Sequence, residues 1–288
     1  MPELPEVHTT VEGLKGVIVG KTITDVWSDF HVGTSHGKRQ TIKNKKYFEK
    51  FRKLVKGAKI KSVERRGKNI LVHLSNDYTF IVHMKMTGHL MYGVKDKFVH
   101  LIFKLKNSQN LVLSDMRKFA SVTFCKTEGL EKHETVGKLG PEPLSKSFSA
   151  EKLLTQLQKR KSWPIKSALL DQTVLAGIGN IYSDEILWEI GIHPLSHTGK
   201  IPKNKFGEMF KVMQKILRFS IKHGGDSKSD YLNAFGKKGN FQNFHKVYGK
   251  RKEQCPKPGC RNKKGAIIER LVVKGRSAHF CPKHQIKF

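Results

Sequence analysis

The chain has 288 residues, and 55 Lys plus Arg against 24 Asp plus Glu give it a formal net charge of +31. Such an excess opposes compaction through self-repulsion and makes sense against a polyanion, where each neutralised phosphate releases counterions. No apolar run nears the ~20 residues that span a bilayer and no charged-then-apolar leader opens the chain, so a soluble, intracellular nucleic-acid binder is expected.

The sequence begins Met1-Pro2-Glu3-Leu4-Pro5-Glu6. Once Met1 is removed, Pro2 is a free secondary amine with the Glu3 carboxylate beside it. An α-amino group, with a pKa near ~8, is partly neutral at pH 7, unlike a lysine at about 10.4. A neutral amine can attack an electrophilic carbon and carry it as an iminium ion. Termini are commonly frayed, so the hexapeptide alone decides nothing.

A helical pattern over residues 7–14 gives way to a β-like stretch over 17–26, rich in β-branched residues. Residues 31–46 are polar and basic without a period and read as a loop. Strand patterns follow from 60 to 124. Residues 70–74 meet 78–82 across Ser75-Asn76-Asp77, a hairpin signal, and 101–105 meet 111–113. Three polar stretches punctuate this half: Arg65-Arg66-Gly67-Lys68, His83-Met84-Lys85-Met86-Thr87-Gly88 and Asp115-Met116-Arg117-Lys118-Phe119. Singly, each reads as solvated charge or as core Met and Phe. Together they hold what an enzyme needs to flip a base out of a duplex and fill the hole with apolar or planar side chains.

Gly140-Pro141-Glu142-Pro143 is a natural linker, since proline suppresses helix and strand pairing alike. Beyond it the period turns helical, through Leu153, Leu154 and Leu157, then Phe206, Phe210, Met213 and Leu217. Residues 169–182 run from an apolar helix through Gly177 and Gly179 into another that starts near Asn180. Amides at such a start can donate to phosphate, and Lys161 and Lys166 add charge nearby. From Val247 a β-like hairpin carries Cys255-Pro-Lys-Pro-Gly-Cys260 and Cys281-Pro-Lys-His284. Two ligand pairs on separate turns have the shape of a tetrahedral zinc site, and four protein ligands leave no position for water. The zinc expected there is structural, one Zn2+ per chain. Arg276, just ahead of the second pair, is placed to project toward a phosphate or into the minor groove.

Taken in order, Pro2 to Val7, Arg66-Gly67-Lys68, the stretches at 83–88 and 115–119, and Leu139-Gly-Pro-Glu-Pro143 resemble the formamidopyrimidine-DNA glycosylase and endonuclease VIII family. The likeness continues through Gly177 to Tyr182, Gly191-Ile-His-Pro194, Val247-Tyr-Gly249 and the cysteine hairpin, and is stronger to the formamidopyrimidine-DNA glycosylase branch. It implies an α+β fold, with an N-terminal β-sandwich catalytic domain at 1–138 and a linker at 139–150. A helix-two-turn-helix DNA-binding domain at 151–244 and a zinc finger at 245–288 complete it.

The resemblance also implies roles. Pro2 attacks C1′ of a damaged nucleotide, Glu3 handles protons, and Lys68 binds phosphate and assists elimination. His83, Lys166, Asn180 and Arg276 are the expected DNA contacts. Met86, Arg117 and Phe119 fill the void left by the flipped base, and Glu6 supports the base pocket. The expected function is a base-excision-repair glycosylase and AP lyase working by β,δ-elimination as a monomer, in the cytoplasm or nucleoid if bacterial. Its partner is double-stranded DNA with oxidised bases or abasic sites. The Leu4-Pro5-Glu6 start and a Gly-rich segment from Gly224-Gly225 to Gly239-Asn240 resemble the oxidised-purine branch, which implies 8-oxoguanine and formamidopyrimidines as substrates, with oxidised pyrimidines as the alternative. A catalytically silent damaged-DNA or RNA binder is the alternative of another class. Three departures stand out: the wide first cysteine spacing with His284 in place of a cysteine, the long basic segment at 31–46, and the polar neighbours Lys85 and His89 around the Met86 turn.

Overall fold

The computed structural model describes residues 1–31 and 41–288, so most of the basic segment expected at 31–46 lies outside the described residues. The chain forms two compact units, residues 1–138 with 223–240, and residues 139–222 with 241–288.

The first unit opens with helix α1 (Leu4–Ile18), with Pro5 in its first turn, where a missing N–H is not needed. Val7, Val11, Leu14 and Ile18 are buried along one face at helical spacing. Val17 and Ile18 therefore end a helix rather than begin the strand that their β-branching suggests. Burial of Ile18 in the core outweighs a propensity worth a fraction of ~1 kcal/mol. The strand starts later, as β1 (Ile23–Ser28). A second helix, α2 (Lys45–Val55), buries Phe48, Phe51 and Val55 along one face at helical spacing and leaves its lysines exposed. Asn44 caps it by accepting the Tyr47 N–H at 3.0 Å. Phe51 packs among Phe80, Phe103 and Phe124, at ring separations of 5.8, 6.0 and 5.8 Å.

Seven further strands follow: β2 (Ile60–Arg66), β3 (Asn69–Leu74), β4 (Tyr78–His83), β5 (Gly88–Tyr92), β6 (Val99–Leu105), β7 (Asn110–Asp115) and β8 (Ser121–Lys126). They make two four-stranded antiparallel sheets, ordered β1-β6-β7-β5 and β2-β3-β4-β8. Val26, Phe103 and Leu113 from one sheet share a core with Val63, Ile70 and Val82 from the other, the pattern of a β-sandwich. Register decides where the polar stretches go. Arg66 faces Asn69, Asn69 faces His83, and His83 faces Ser121. The turn at 67–68 and the crossovers at 84–87 and 116–120 therefore leave the same end of that sheet. Residues 223–240 complete the unit, with Ala234 in the core and its carbonyl accepting the Tyr92 amide at 2.8 Å.

The second unit holds helices α3 (Ala150–Gln158), α4 (Ile165–Leu170), α5 (Asn180–Glu189) and α6 (Asn204–Lys222), and a ribbon of β9 (Glu269–Val273) and β10 (Arg276–Phe280). Helix α5 packs against α4, α6 and β10. Among the described residues no helix is long and apolar enough to cross a membrane.

Candidate functional site

The N-terminus is built in, not frayed. Pro2 is buried and Glu3 is 2% exposed. The Glu3 amide donates to Glu6 Oε2 at 2.7 Å, the reach-back half of a capping box, which suits a carboxylate in the first helical turn. The second Glu6 oxygen accepts the Asp226 amide at 2.8 Å, and Tyr231 gives its hydroxyl to the Glu6 carbonyl at 2.9 Å. Glu6 thus fastens the terminus to the glycine-rich segment. Gly225 permits the approach: it has φ +84°, and a Cβ there would lie 3.0 Å from Glu6 Cγ. Burial raises the Tyr231 phenol well above its ordinary range, so it stays a proton donor.

Lys68 sits in a two-residue turn between Arg66 and Asn69. Gly67, at φ +58°, holds the first turn position, as a tight hairpin of this type requires. Lys68 is 6% exposed, and its neighbour Asn69 pairs with His83 across the sheet. His83 Nδ1 accepts the Lys85 amide at 3.0 Å, which leaves its proton on Nε2. Burial, and then the charges of Lys85 and Lys68, depress this imidazole to about 3, so it is a neutral N–H donor at physiological pH.

Met86, Arg117 and Phe119 come together at the surface. Gly88 closes the first turn by donating to the Met84 carbonyl at 3.0 Å. A Cβ on Gly88 would lie 2.4 Å from that oxygen, so only glycine makes this turn. Arg117 Nη1 lies 3.7 Å from Met86 Sδ, and its guanidinium stands 4.5 Å over the Phe119 ring. Met86 and Phe119 remain 46% and 40% exposed, an arrangement of apolar and planar groups pointing into solvent. Asp115, quoted in sequence only as part of its motif, is fully buried and organises both turns through Thr87, Arg117 and Ala120.

In the second unit, α4, the loop at 171–179 and α5 make the helix-turn-helix constellation. Gln172 braces the loop, donating to the Leu170 and Ile178 carbonyls and accepting the Gly177 amide. Sequence offers no signal for this role beyond a Gln ahead of the glycines. Asn180 opens α5 and gives its amide to Ser277 Oγ at 3.2 Å. Ser277 adjoins the exposed Arg276, which follows a turn with positive φ at both Lys274 and Gly275.

Lys166 requires a correction. Expected to contact DNA, it is 0% exposed and its ammonium is ion-paired with Asp184, with Ser183 Oγ at 3.3 Å and the Asn180 carbonyl at 3.5 Å. A cation so enclosed must be paired, and it braces the start of α5 rather than meeting solvent. Asp184 also accepts the His279 amide and ring at 3.0 and 2.9 Å, and so joins α5 to β10. Beside it, Glu185 accepts the Lys246, Val247 and Tyr248 amides. Burial raises the Glu185 carboxyl against the pull of those donors.

Cys255, Cys260, Cys281 and His284 bring one ligand atom each within 4.8 Å of one another and could hold a metal ion. The imidazole presents Nδ1, at 3.6 Å from Cys255 Sγ and 3.4 Å from Cys260 Sγ. Three thiols and one imidazole are the donor set of a soft, four-coordinate ion. The wide first spacing and the histidine therefore still close a complete set.

Two family models match the chain: the formamidopyrimidine-DNA glycosylase N-terminal domain over residues 1–122, and the formamidopyrimidine-DNA glycosylase H2TH domain over 139–231. A formamidopyrimidine-DNA glycosylase of Lactobacillus helveticus is 40% identical over 99% of both chains. That of Streptococcus pneumoniae is 35% identical over 99% of both. Among solved structures, a Lactococcus lactis variant in complex with Fapy-dG-containing DNA superposes with a TM-score of 0.86 at 33% identity, covering 99% of this chain and 100% of that one. MutM in complex with carbocyclic 8-oxo-G-containing DNA gives a TM-score of 0.85 at 32% identity, with the same coverage.

Proposed function

The chain belongs to the formamidopyrimidine-DNA glycosylase family, and from that premise we propose that it excises 8-oxoguanine and formamidopyrimidines from duplex DNA through the amine of Pro2. It is a DNA glycosylase of base excision repair whose partner is damaged double-stranded DNA. The observation that carries the catalytic assignment is the buried terminus, with the Glu3 amide fastened to Glu6 at 2.7 Å. A binding protein has no need to order a proline amine beside a carboxylate.

In this reading the Pro2 nitrogen attacks C1′, the bond from C1′ to the base breaks, and the base leaves with the electron pair. Opening of the sugar ring gives an iminium between Pro2 and C1′, with Glu3 moving the protons. The iminium acidifies the C2′ hydrogen. Its removal expels the 3′ phosphate, and a second elimination expels the 5′ phosphate, leaving a one-nucleotide gap. Lys68 and neutral His83 hold phosphate near the reacting sugar, and Asn180 and Arg276 bind phosphates of the same strand. Met86, Arg117 and Phe119 fill the void, since extruding a base costs a few kcal/mol that inserted side chains offset. While Met1 is attached the Pro2 nitrogen is an amide, so activity requires its removal. One structural Zn2+ per chain would be held by Cys255, Cys260, Cys281 and His284, joining the loop ahead of β9 to the turn that follows β10. The site of action is intracellular, where the duplex is.

Borohydride trapping tests the reading. Protein shown by mass to begin at Pro2 should become covalently linked to an 8-oxoguanine duplex, and Pro2→Gly should abolish the adduct. No adduct on any oxidised or abasic duplex leaves a binding protein instead. Faster trapping on dihydrouracil overturns the purine assignment.

A further inference from the structure

Helix α5 has Asn180 at one end and Trp188 near the other. Trp188 is 3% exposed and shares a buried cluster with Cys255, Cys260 and Cys281. Its indole N–H donates to Cys255 Sγ at 3.4 Å, and its carbonyl accepts from His284 Nε2 at 3.0 Å. One residue therefore touches a member of each ligand pair. The two contacts do different work. An N–H bond to sulfur stabilises the thiolate that a metal needs, and a carbonyl on Nε2–H fixes the tautomer that leaves Nδ1 facing the thiols.

Neighbouring contacts extend the attachment. Lys257, inside the first ligand loop, donates to the Glu189 carbonyl at 2.7 Å and stands 5.0 Å from the Trp188 ring. After the helix, Gly191 at φ +73° passes so close to His284 that a Cβ would lie 3.2 Å from its carbonyl oxygen. Gln285 donates to the Ile192 carbonyl at 2.8 Å. The end of α5 is thus part of the metal centre's wall, while its start carries Asn180, the residue proposed above to bind phosphate.

We propose that Trp188 is a metal-positioning residue, and that through α5 it couples occupancy of the Cys3His centre to the order of the helix that presents Asn180. The inference rests on the reading of that cluster as a zinc site. Binding of a metal to such a set is folding free energy for whatever its ligands hold. Here that includes a helix outside the finger itself.

Zinc affinity is measured by competition against a chromophoric chelator. W188F keeps an aromatic ring but loses the N–H, and should bind zinc roughly 10–100-fold more weakly, the usual effect of losing an outer-shell partner. With cobalt(II) in place of zinc, the thiolate-to-metal absorption band should shift to lower energy in W188F, a change that loose packing alone does not produce. Independently of any variant, stripping zinc from the wild-type chain should speed hydrogen exchange of α5 amides by roughly tenfold or more while α1 is unaffected. Equal zinc affinity and an unmoved cobalt band in W188F, or α5 exchange indifferent to zinc, overturn the inference while leaving the zinc reading intact. A wild-type chain that takes up no zinc overturns both. If W188F does not fold, the exchange measurement decides.

Discussion

Thr87 donates its hydroxyl to Asp115 Oδ1 at 2.5 Å, while Oδ2 of the same carboxylate accepts the Ala120 amide at 2.5 Å. One buried anion thereby ties the turn bearing Met86 to the turn bearing Arg117 and Phe119. Without it, three exposed side chains would depend on two loops ordering separately. Thr87→Val breaks only the link between turns and should cost about 1 kcal/mol; Asp115→Asn, which turns an NH2 toward one of these donors, should cost about 1–3 kcal/mol in urea unfolding. Both should slow excision from a duplex more than cleavage of a single-stranded abasic site, because only the duplex has a void to fill. Equal losses on the two substrates would show that the clamp serves folding alone.

Glu6 is a second case of one carboxylate holding two segments, here the Glu3 and Asp226 amides. Glutamine offers one acceptor oxygen and one NH2, so Glu6→Gln must leave one of these amides facing a donor. The expected cost is about 1–3 kcal/mol, with faster hydrogen exchange at Glu3 or Asp226 and slower borohydride trapping at saturating DNA. Unchanged protection at both amides together with wild-type trapping contradicts the tether.

What the sequence revealed and what it hid divide along a physical line. Pro2-Glu3, the three polar turns and the cysteine pairs are contiguous, and their chemistry follows from neighbouring residues. The roles of Asp115 and Trp188 depend on partners 28 and 96 positions away, at Thr87 and His284. No local pattern reports such pairs. Helix α2 is legible as well: Phe48, Phe51 and Val55 recur at helical spacing on one face while Lys45, Lys46, Lys50 and Lys53 stand exposed on the other. Lys166 misled: a lysine near a glycine turn looks phosphate-bound, and only its complete burial against Asp184 shows otherwise.

His83 gives acid pH a definite effect. An unfolded histidine protonates near 6.5, whereas His83 in the folded chain resists until about 3. Between these values the unfolded state binds more protons, so stability falls as pH falls, beginning below 6.5 and levelling off near 3. At about 1.4 kcal/mol per pH unit, the loss by pH 5 is about 2 kcal/mol. His83→Gln keeps a neutral side chain and removes this dependence. Half-buried His8 and His73 and buried His89, also depressed chiefly by desolvation, act alike in both proteins and cancel in the comparison. Urea unfolding of both proteins at pH 7 and pH 5 should therefore show the smaller loss in the variant; equal losses exclude a buried neutral imidazole at this position.

Lys166 and Arg276 should separate cleanly by their salt dependence. Arg276 is exposed and proposed to meet a phosphate, so Arg276→Ala should weaken binding to an abasic-analogue duplex and reduce the slope of log Kd against log salt by about 1. Lys166 is enclosed with Asp184, and Lys166→Met leaves that carboxylate buried without its ammonium. A broken buried pair costs about 3–5 kcal/mol of stability, so urea unfolding should register Lys166→Met far more strongly than Arg276→Ala. In conditions where the Lys166 variant remains folded, its salt slope should match the wild type, because no phosphate contact has been lost. Any weakening of binding should then be independent of salt, arising from a less well-held Asn180. A slope lowered by about 1 in Lys166→Met would instead place its ammonium on the DNA in the complex.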